Sequence, residues 1–262
     1  MNQAEAKRKR VREIVRSLYD VQDTRIRMGN RLKFKKDGSD QKDNGTDSDM
    51  DFNTIPVLVD TYSDYVEMES AIAKSLKAEL KGIPVYDTFL KNVKGCGPLM
   101  AAVIIAEYDI HQATTVSKLW QFTGLNPGMV QGRKMVDGKP TKVADLVRGD
   151  RLTAGYLAPF NKKLRTKMVG VLGSCFLKSK SEYAKYYYDY KSRKAQSEMA
   201  IDGRDKDWNE TSDKHRHSAA VRYMLKMFLR DLYVAWRTCE GLEVRKPYEE
   251  EYLGRKHGGQ VA

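Results

Sequence analysis

The sequence lacks long hydrophobic runs, and this absence excludes several classes of protein. None of its apolar stretches approaches the roughly 20 residues that a helix needs to cross a bilayer. Its N-terminus begins with a charged segment that includes Lys-Arg-Lys-Arg at residues 7–10, and it has no apolar stretch like that of a secretory signal. We therefore predict a cytoplasmic location and no membrane partner.

Cysteine is also scarce. The three cysteines, Cys96, Cys175 and Cys239, are odd in number and far apart in the chain. This pattern fits neither a disulfide framework nor the ligand spacing of a zinc site. We expect the three side chains to be reduced, buried thiols.

Patterns typical of catalysis are scarce as well. The sequence has no Walker-type phosphate loop, and Asp109, Asp145 and Asp150 have no periodic acidic partners that would indicate a two-metal centre. The His-x-His pair at residues 215–217 lies at a predicted helix start, where the two rings would point to different faces. We predict no catalytic residue, no metal site and no cofactor.

Positive charge, in contrast, is abundant. The chain has 47 Lys and Arg against 35 Asp and Glu, a formal net charge of +12, and a pI near 9.4. Such a surplus favours a polyanionic partner, because cations that approach phosphates release condensed counterions. Charge alone could also indicate an acidic protein partner or a membrane surface.

This charge is distributed unevenly near the N-terminus. Residues 1–42 carry 13 Lys and Arg against 6 Asp and Glu, whereas residues 43–70 carry 8 Asp and Glu and no Lys or Arg. Within the basic part, residues 4–28 combine apolar residues at helical spacing with arginines at every fourth position, which predicts a basic amphipathic helix. The acidic segment could mask this helix or form an ordinary solvated surface.

A tight Gly-x-Gly turn at residues 95–97 separates two apolar runs and predicts a helix-hairpin-helix. Gly95 and Gly97 allow a positive φ, and Pro98 suits the first turn of the next helix. Backbone N–H groups at the turn and at the helix N-terminus would then bind phosphate, which in this motif usually belongs to a nucleic-acid backbone. The alternative is a helix pair that only packs, with a core of Leu90, Val93, Leu99, Val103 and Ile104.

The sequence as a whole predicts an all-α fold, with a helix-hairpin-helix core in a multi-helix domain and one small β-hairpin insertion. A hairpin turn is indicated by Asp137-Gly138 between two short apolar stretches. We divide the chain into a basic helical arm, a flexible acidic linker, a long helix, the helix-hairpin-helix domain and a tail, at residues 1–42, 43–55, 56–83, 84–240 and 241–262.

Four further helices are predicted downstream of the turn, over residues 114–124, 160–177, 181–197 and 213–239. The third opens with Ser181 as its cap. Residues 160–194 combine ten Lys and Arg with several tyrosines, which suits nucleic acid, although several of these rings must belong to the core. The last helix carries a row of basic side chains at i, i+4 spacing, Arg222, Lys226 and Arg230. This row either binds phosphate or keeps the protein soluble.

The order of these blocks resembles the C-terminal domain of the DEDD transposases, the insertion-sequence "one-ten" group that includes the Piv-type DNA invertases. The resemblance rests on blocks at residues 93–98, 101–102, 106–107, 119–127, 162–165, 186–187 and 217–222. It covers roughly residues 84–238. It implies a helix-hairpin-helix fold and a role in DNA recombination or in a mobile element.

Two departures from this family bear on catalysis. Family members carry an N-terminal RNase-H-like domain with four acidic metal ligands, and the first 80 residues here are too short and too helical to supply it. The family also has a serine nucleophile after its Gly-Leu-x-Pro block, whereas this sequence has no serine between Ser117 and Ser174. The corresponding loop offers no hydroxyl that could attack phosphorus, since it reads Met129, Val130, Gln131 and Gly132.

Three hypotheses follow from these observations. The first is a non-catalytic, nucleoid-associated transposase-like protein that binds DNA, branched DNA or structured RNA, alone or as a homo-oligomer. The second is an active recombinase that works with a separate RNase-H-like partner, and the third is a basic module that binds an acidic protein. For the first, the predicted nucleic-acid contacts are Lys94, Gly95, Gly97, Arg133, Lys134, Lys139, Lys162, Lys163, Arg165 and Lys167.

Overall fold

The structure, a computed structural model, describes residues 3–32, 55–201 and 206–245. Within these ranges the chain is mainly helical and contains a single two-stranded sheet, so the predicted all-α fold with one β-hairpin is confirmed. The chain divides into two compact units, Met1–Ile83 and Pro84–Ala262. Most of the predicted acidic linker and of the tail, residues 43–54 and 246–262, lies outside the described residues.

Two long helices form the described part of the first unit. Helix α1 covers Gln3–Arg31 and helix α2 covers Pro56–Glu79, close to the predicted bounds. They run antiparallel, since Arg10 near the start of α1 donates a 3.0 Å hydrogen bond to Glu79 at the end of α2. Gly82 follows with a φ of +80°, a conformation that suits the helix stop predicted there.

Most of the apolar stripe of α1 is buried, as its spacing predicts. Val11, Val15 and Leu18 are at most 2% exposed, whereas Ile14 and Val21 are half-buried. The basic residues behave less uniformly, because Arg16 is exposed whereas Arg8 lies on the buried stripe, one turn before Val11. The basic surface of α1 is therefore smaller than a row of arginines at every fourth position suggests.

The same stripe contains a buried ion pair between α1 and α2. Arg25 Nε donates to Glu69 Oε2 over 2.7 Å, and the two side chains are 10% and 6% exposed. Gln22 donates to the other carboxylate oxygen of Glu69 over 2.8 Å. Burial lowers the pKa of Arg25, but the hydrogen bonds and charge of Glu69 raise it overall above its ordinary value. Each charge thus depends on the other for its compensation.

The second unit is built around helix α4. A short helix α3 (Pro84–Thr88) and a 3₁₀ turn (Leu90–Asn92) lead into α4, which covers Pro98–Glu107 as predicted. All seven residues from Met100 to Ala106 are buried. A helix that is apolar on every side belongs in the interior, so α4 forms the centre of this unit.

Helix α9 covers Asp213–Cys239, the bounds that the sequence predicts, and Ser212 caps it by accepting a hydrogen bond from the His215 N–H. Its apolar stripe is buried along its length. Helix α5 (Val116–Phe122) packs against it, and the Trp120 indole donates to the carbonyl of Lys226 over 3.1 Å. None of the described helices is long and apolar enough to cross a membrane.

The predicted β-hairpin is present. Strands β1 (Met129–Val136) and β2 (Lys139–Arg148) pair antiparallel, with Val136 opposite Lys139. Asp137 and Gly138 between them both have positive φ, +49° and +74°, as a tight two-residue hairpin turn requires. Most of its side chains are exposed, and Val147 is buried at its base.

The predicted helix over residues 160–177 is present in a modified form. It consists of α6 (Lys162–Arg165), a π-helical segment (Thr166–Leu172) and α7 (Gly173–Lys178). The prediction of a Ser181 cap is wrong, because α8 covers Ala184–Ala195 and Tyr183 occupies the cap position. Tyr183 is held there by burial against Phe176 and Phe228, a tertiary packing that outweighs the local capping signal.

The buried ion pair gives a prediction for the first unit. We expect Glu69→Ala to destabilise the packing of α1 on α2 by about 3 kcal/mol, because it leaves Arg25 charged and buried. The double variant Arg25→Met/Glu69→Leu is expected to recover most of this loss. Hydrogen exchange of α1 and α2 in urea measures both effects.

A matched control is the exposed pair between Arg16 and Glu13, which are 2.8 Å apart and more than 60% exposed. Glu13→Ala is expected to cost less than about 1 kcal/mol. If Glu69→Ala and Glu13→Ala lower the free energy of unfolding by the same amount, the buried Arg25–Glu69 pair contributes no more to stability than an exposed pair.

Candidate nucleic-acid interface

The Gly-x-Gly turn joins the 3₁₀ turn to α4. Gly95 has a φ of +91°, which agrees with the expectation of a positive φ. The same expectation is wrong for Gly97, which has φ −69° and ψ 167°. Gly97 is the N-cap of α4, a position that takes extended backbone and leaves Pro98 as the first helical residue.

Gly95 is required by packing as well as by its φ. A Cβ atom on Gly95 would lie 2.7 Å from Ser179 Oγ and 3.2 Å from the carbonyl oxygen of Cys175. These contacts place the turn beside the C-terminal end of α7. Gly95 therefore serves the fold.

Neither a positive φ nor close packing requires glycine at position 97. Its φ and ψ suit any residue, and a Cβ atom built on it would meet no heavy atom within 4 Å. Gly97 is exposed, and Ser212, the cap of α9, shows the kind of residue that commonly stands at such a position. The absence of a side chain here leaves open space in front of the first turn of α4.

The other residues of the turn divide between the core and the surface. Val93 and Cys96 are buried, whereas Lys94 is exposed. Burial raises the pKa of the Cys96 thiol to about 12. As expected, the three cysteines are unpaired thiols, but only Cys96 among them is buried, whereas Cys175 and Cys239 are half-buried.

The contact between Gly95 and Ser179 brings two further lysines to this end of α4. Lys178 and Lys180 are exposed on either side of Ser179. The sequence does not reveal this proximity, since some 80 residues separate them from the turn. Together with Lys94 they form what we call the turn lysines.

A second basic group lies at the opposite end of α4. Asn161 caps α6 by accepting a 3.0 Å hydrogen bond from the Leu164 N–H, and it donates a 2.6 Å hydrogen bond to Glu107, the last residue of α4. The exposed Lys162 and Lys163 follow directly. Because α4 has ten residues, about 15 Å separates this group from the turn.

Arg165 and Lys167 are less accessible than the lysines before them, since both are half-buried. Arg165 donates a hydrogen bond to the carbonyl of Gly124 and lies 4.9 Å from the centre of the Phe160 ring. Burial lowers the pKa of Arg165. At least part of this side chain is therefore used to hold the Gly-Leu-Asn-Pro segment in place.

The three predicted contacts on the β-hairpin differ in their surroundings. Arg133 donates to the carbonyl of Ala158 over 3.2 Å, and Lys134 lies 3.3 Å from Asp145. The Tyr156 hydroxyl also donates to Asp145, and these two hydrogen bonds lower the pKa of that carboxyl. Lys139 is exposed beside the turn at Gly138. Only Lys139 thus stands at the tip of the hairpin.

The His-x-His pair does not converge on one site. His217 Nδ1 lies 2.7 Å from the Tyr187 hydroxyl, and the His215 ring packs 5.6 Å from the Trp208 ring. In the described part of the chain, no three His, Cys, Asp or Glu side chains come together as a metal site would require.

The buried thiol gives a prediction for the turn. At pH 8 we expect iodoacetamide to modify Cys96 at least about tenfold more slowly than Cys175 or Cys239, because a buried thiol with a raised pKa is hardly ionised. Mass spectrometry of the folded chain measures the three rates, and the same measurement in guanidinium is the control. Comparable rates in the folded chain would show that Cys96 does not face the core.

Comparison with known protein families matches part of this unit. Residues 87–146, from α3 into the second strand of the β-hairpin, match the family model described as Transposase IS116/IS110/IS902 family. No curated protein and no solved structure matches the chain. The stretch that holds the Gly-x-Gly turn, α4, α5 and most of the β-hairpin is thus similar to that transposase family, which supports a transposase-like protein.

Proposed function

We propose that this chain is a transposase-like protein that binds the phosphate backbone of DNA, with the turn at residues 94–97 and the start of α4 as its anchor. The observation that carries the proposal is Gly97. Neither backbone conformation nor packing within the described chain requires glycine there. Glycine is one of several residues that suit an N-cap, and among them it alone leaves the backbone open to close approach of a ligand.

The start of α4 has the chemistry to bind such a ligand. Its first backbone N–H groups lack acceptors within the helix, and no side chain caps them. They also lie at the positive end of the helix dipole, which favours an anion. A phosphate in front of Gly97 would supply the missing acceptors.

The surrounding charge supports a polyanion over a single ion. The turn lysines lie near this end of α4, and Lys162 and Lys163 form a second basic group about 15 Å away, at its other end. We propose that both groups, together with Arg133, Lys134 and Lys139 of the β-hairpin, follow one backbone. Binding of this kind reads little sequence and depends steeply on salt.

We assign binding rather than strand cleavage to this stretch. The resemblance to the transposases places a serine nucleophile after the Gly-Leu-x-Pro block, and no serine stands between Ser117 and Ser174. An amide or an alkyl side chain cannot replace that hydroxyl. A role beside DNA in recombination or in a mobile element, with the protein associated with the nucleoid, follows from the proposal.

The anchor predicts an unusual effect of one substitution. Gly97→Ser is expected to preserve stability, because serine suits an N-cap and has space there. Its hydroxyl would occupy the same N–H groups as a phosphate, so we expect the affinity for DNA to fall about tenfold. Fluorescence anisotropy with a labelled duplex and a four-way junction, with thermal unfolding in parallel, measures both quantities.

Gly170→Ser is the matched control, because Gly170 is also exposed and a Cβ atom on it would meet nothing within 4 Å. It is expected to leave DNA affinity unchanged. If Gly97→Ser binds as tightly as the unaltered chain, the start of α4 is not the anchor. If the unaltered chain fails to bind DNA, or binds it independently of salt, the proposed function is wrong.

The turn lysines predict a measurable change in salt dependence. Replacement of Lys94 by Gln is expected to make the slope of log K against log salt shallower by about 0.9, the contribution of one neutralised phosphate. The exposed Lys118 on α5 is the control, and Lys118→Gln should leave the slope unchanged. Equal slopes for Lys94→Gln and the unaltered chain would remove Lys94 from the interface.

A further inference from the structure

A second positive site lies between the π-helical segment, α7 and the first half of α9. There a cavity of about 230 Å³ is lined on its polar side by two arginines, one histidine and two serines, namely Arg165, Arg222, His217, Ser174 and Ser218. The rest of its lining is apolar, and no carboxylate takes part. We call this cavity the arginine pocket.

The charge of the arginine pocket is only partly compensated. Asp150 is the carboxylate beside it, with a side chain that is 4% exposed. One of its oxygens accepts a 3.1 Å hydrogen bond from Arg148, and the other lies 3.9 Å from Arg222, beyond hydrogen-bond distance. The same carboxylate also attracts Arg165. The single negative charge of Asp150 is therefore shared among Arg148, Arg165 and Arg222.

Burial makes this imbalance costly. It lowers the pKa of both Arg165 and Arg222, although Asp150 opposes the effect. A guanidinium remains charged in a protein whatever its surroundings. A cation that is half removed from water and incompletely paired is stabilised by an anion that enters the pocket.

The remaining polar groups of the pocket can serve the same anion. Ser174 and Ser218 bond through their hydroxyls to carbonyls one turn earlier, at 2.9 and 3.0 Å, and these hydroxyls can rotate towards a ligand. His217 uses Nδ1 for Tyr187. Its Nε2 makes no hydrogen bond in the described part of the chain, so it is available to a ligand.

The size of the cavity limits what can enter. Pockets for drug-sized molecules usually begin near 300 Å³, and a water molecule occupies about 30 Å³ in the liquid. A volume of about 230 Å³ thus accommodates one tetrahedral oxyanion with several waters, and the rest of a longer ligand would extend out of it. Paired guanidinium groups match the oxygens of phosphate in particular.

We propose that the arginine pocket binds a terminal phosphate group of a nucleic-acid strand. A terminal phosphate carries nearly two negative charges and continues in one direction only, whereas a phosphodiester carries one charge and continues in two. The phosphate part of this proposal depends on the pocket itself. The identification of its carrier as a nucleic-acid strand rests on the proposed DNA binding.

The arrangement of the helices agrees with a site at this place. The pocket lining includes Val169 of the π-helical segment. Wide turns of this kind often occur at functional sites in helices. Gly173, at the end of the segment, lets α7 approach α9 closely, since a Cβ atom on it would lie 3.0 Å from Val221.

The test uses the full chain and two kinds of probe. Isothermal titration with inorganic phosphate examines binding of the anion without a strand, and comparison with the Ser218→Glu variant assigns that binding to the pocket. Anisotropy with duplexes that end in a 5′-phosphate, a 3′-phosphate or hydroxyls examines the strand. We expect inorganic phosphate to bind and one of the phosphorylated ends to bind about tenfold more tightly than the hydroxyl end.

Ser218→Glu is the decisive variant, because it places a carboxylate beside Arg165 and Arg222 from an exposed position on α9. It is expected to weaken inorganic phosphate binding at least about tenfold and to abolish the preference for a phosphorylated end, with thermal stability retained. Thr238→Glu is the control. It makes the same change of charge on an exposed residue of α9, about 30 Å along the helix, and should leave both measurements unchanged.

Arg222→Gln is a second variant, and it should also weaken phosphate binding. If inorganic phosphate fails to bind, or binds equally to the unaltered chain and Ser218→Glu, the arginine pocket is not a phosphate site. If phosphate binds but duplexes with phosphorylated ends bind no more tightly than those with hydroxyl ends, the ligand is not the terminal phosphate of a strand. Phosphate binding that Ser218→Glu weakens, without any binding of DNA, would support the pocket and contradict the proposed function.

Discussion

The burial of α4 is the constraint on which the second unit depends. From Met100 to Ala106 every residue of this helix is covered, so α4 offers no side chain to a ligand along its middle. Only its ends approach the surface. At the C-terminal end Glu107 is bonded to Asn161, whereas at the N-terminal end no side chain caps the first turn. A binding role for this buried helix must therefore fall on its N-terminus.

The same constraint separates the two glycines of the turn. The segment from α6 to α7 runs antiparallel to α4, because its start bonds to Glu107 and its end meets Gly95. Gly95 is consequently enclosed between two helices, and any side chain there would force them apart. Gly97 lies two residues further on, outside this contact. A motif that appears symmetric in sequence thus has one glycine for packing and one that packing does not explain.

How far the sequence predicts this structure depends on the range of the interactions. The Asp137-Gly138 turn and the bounds of α9 follow from local backbone preferences and helical periodicity, and both were predictable. The role of Arg165 was not, because its acceptor at Gly124 lies 41 positions away. For the same reason the convergence of Lys178 and Lys180 on the turn, and of Arg222 on Asp150, has no local signal. The fold class was thus predictable, while the grouping of the charged side chains required the tertiary structure.

The two positive sites differ in the way they would hold phosphate. The turn relies on backbone amides and exposed lysines, whose attraction is screened by salt over about 10 Å at 0.1 M. The arginine pocket relies on half-buried guanidinium groups, whose attraction for an anion is screened less by salt. Much of the cost of removing these groups from water has already been incurred during folding. High salt should therefore weaken the first site before the second. A strand held at both would then leave the turn while its terminal phosphate stayed in the pocket.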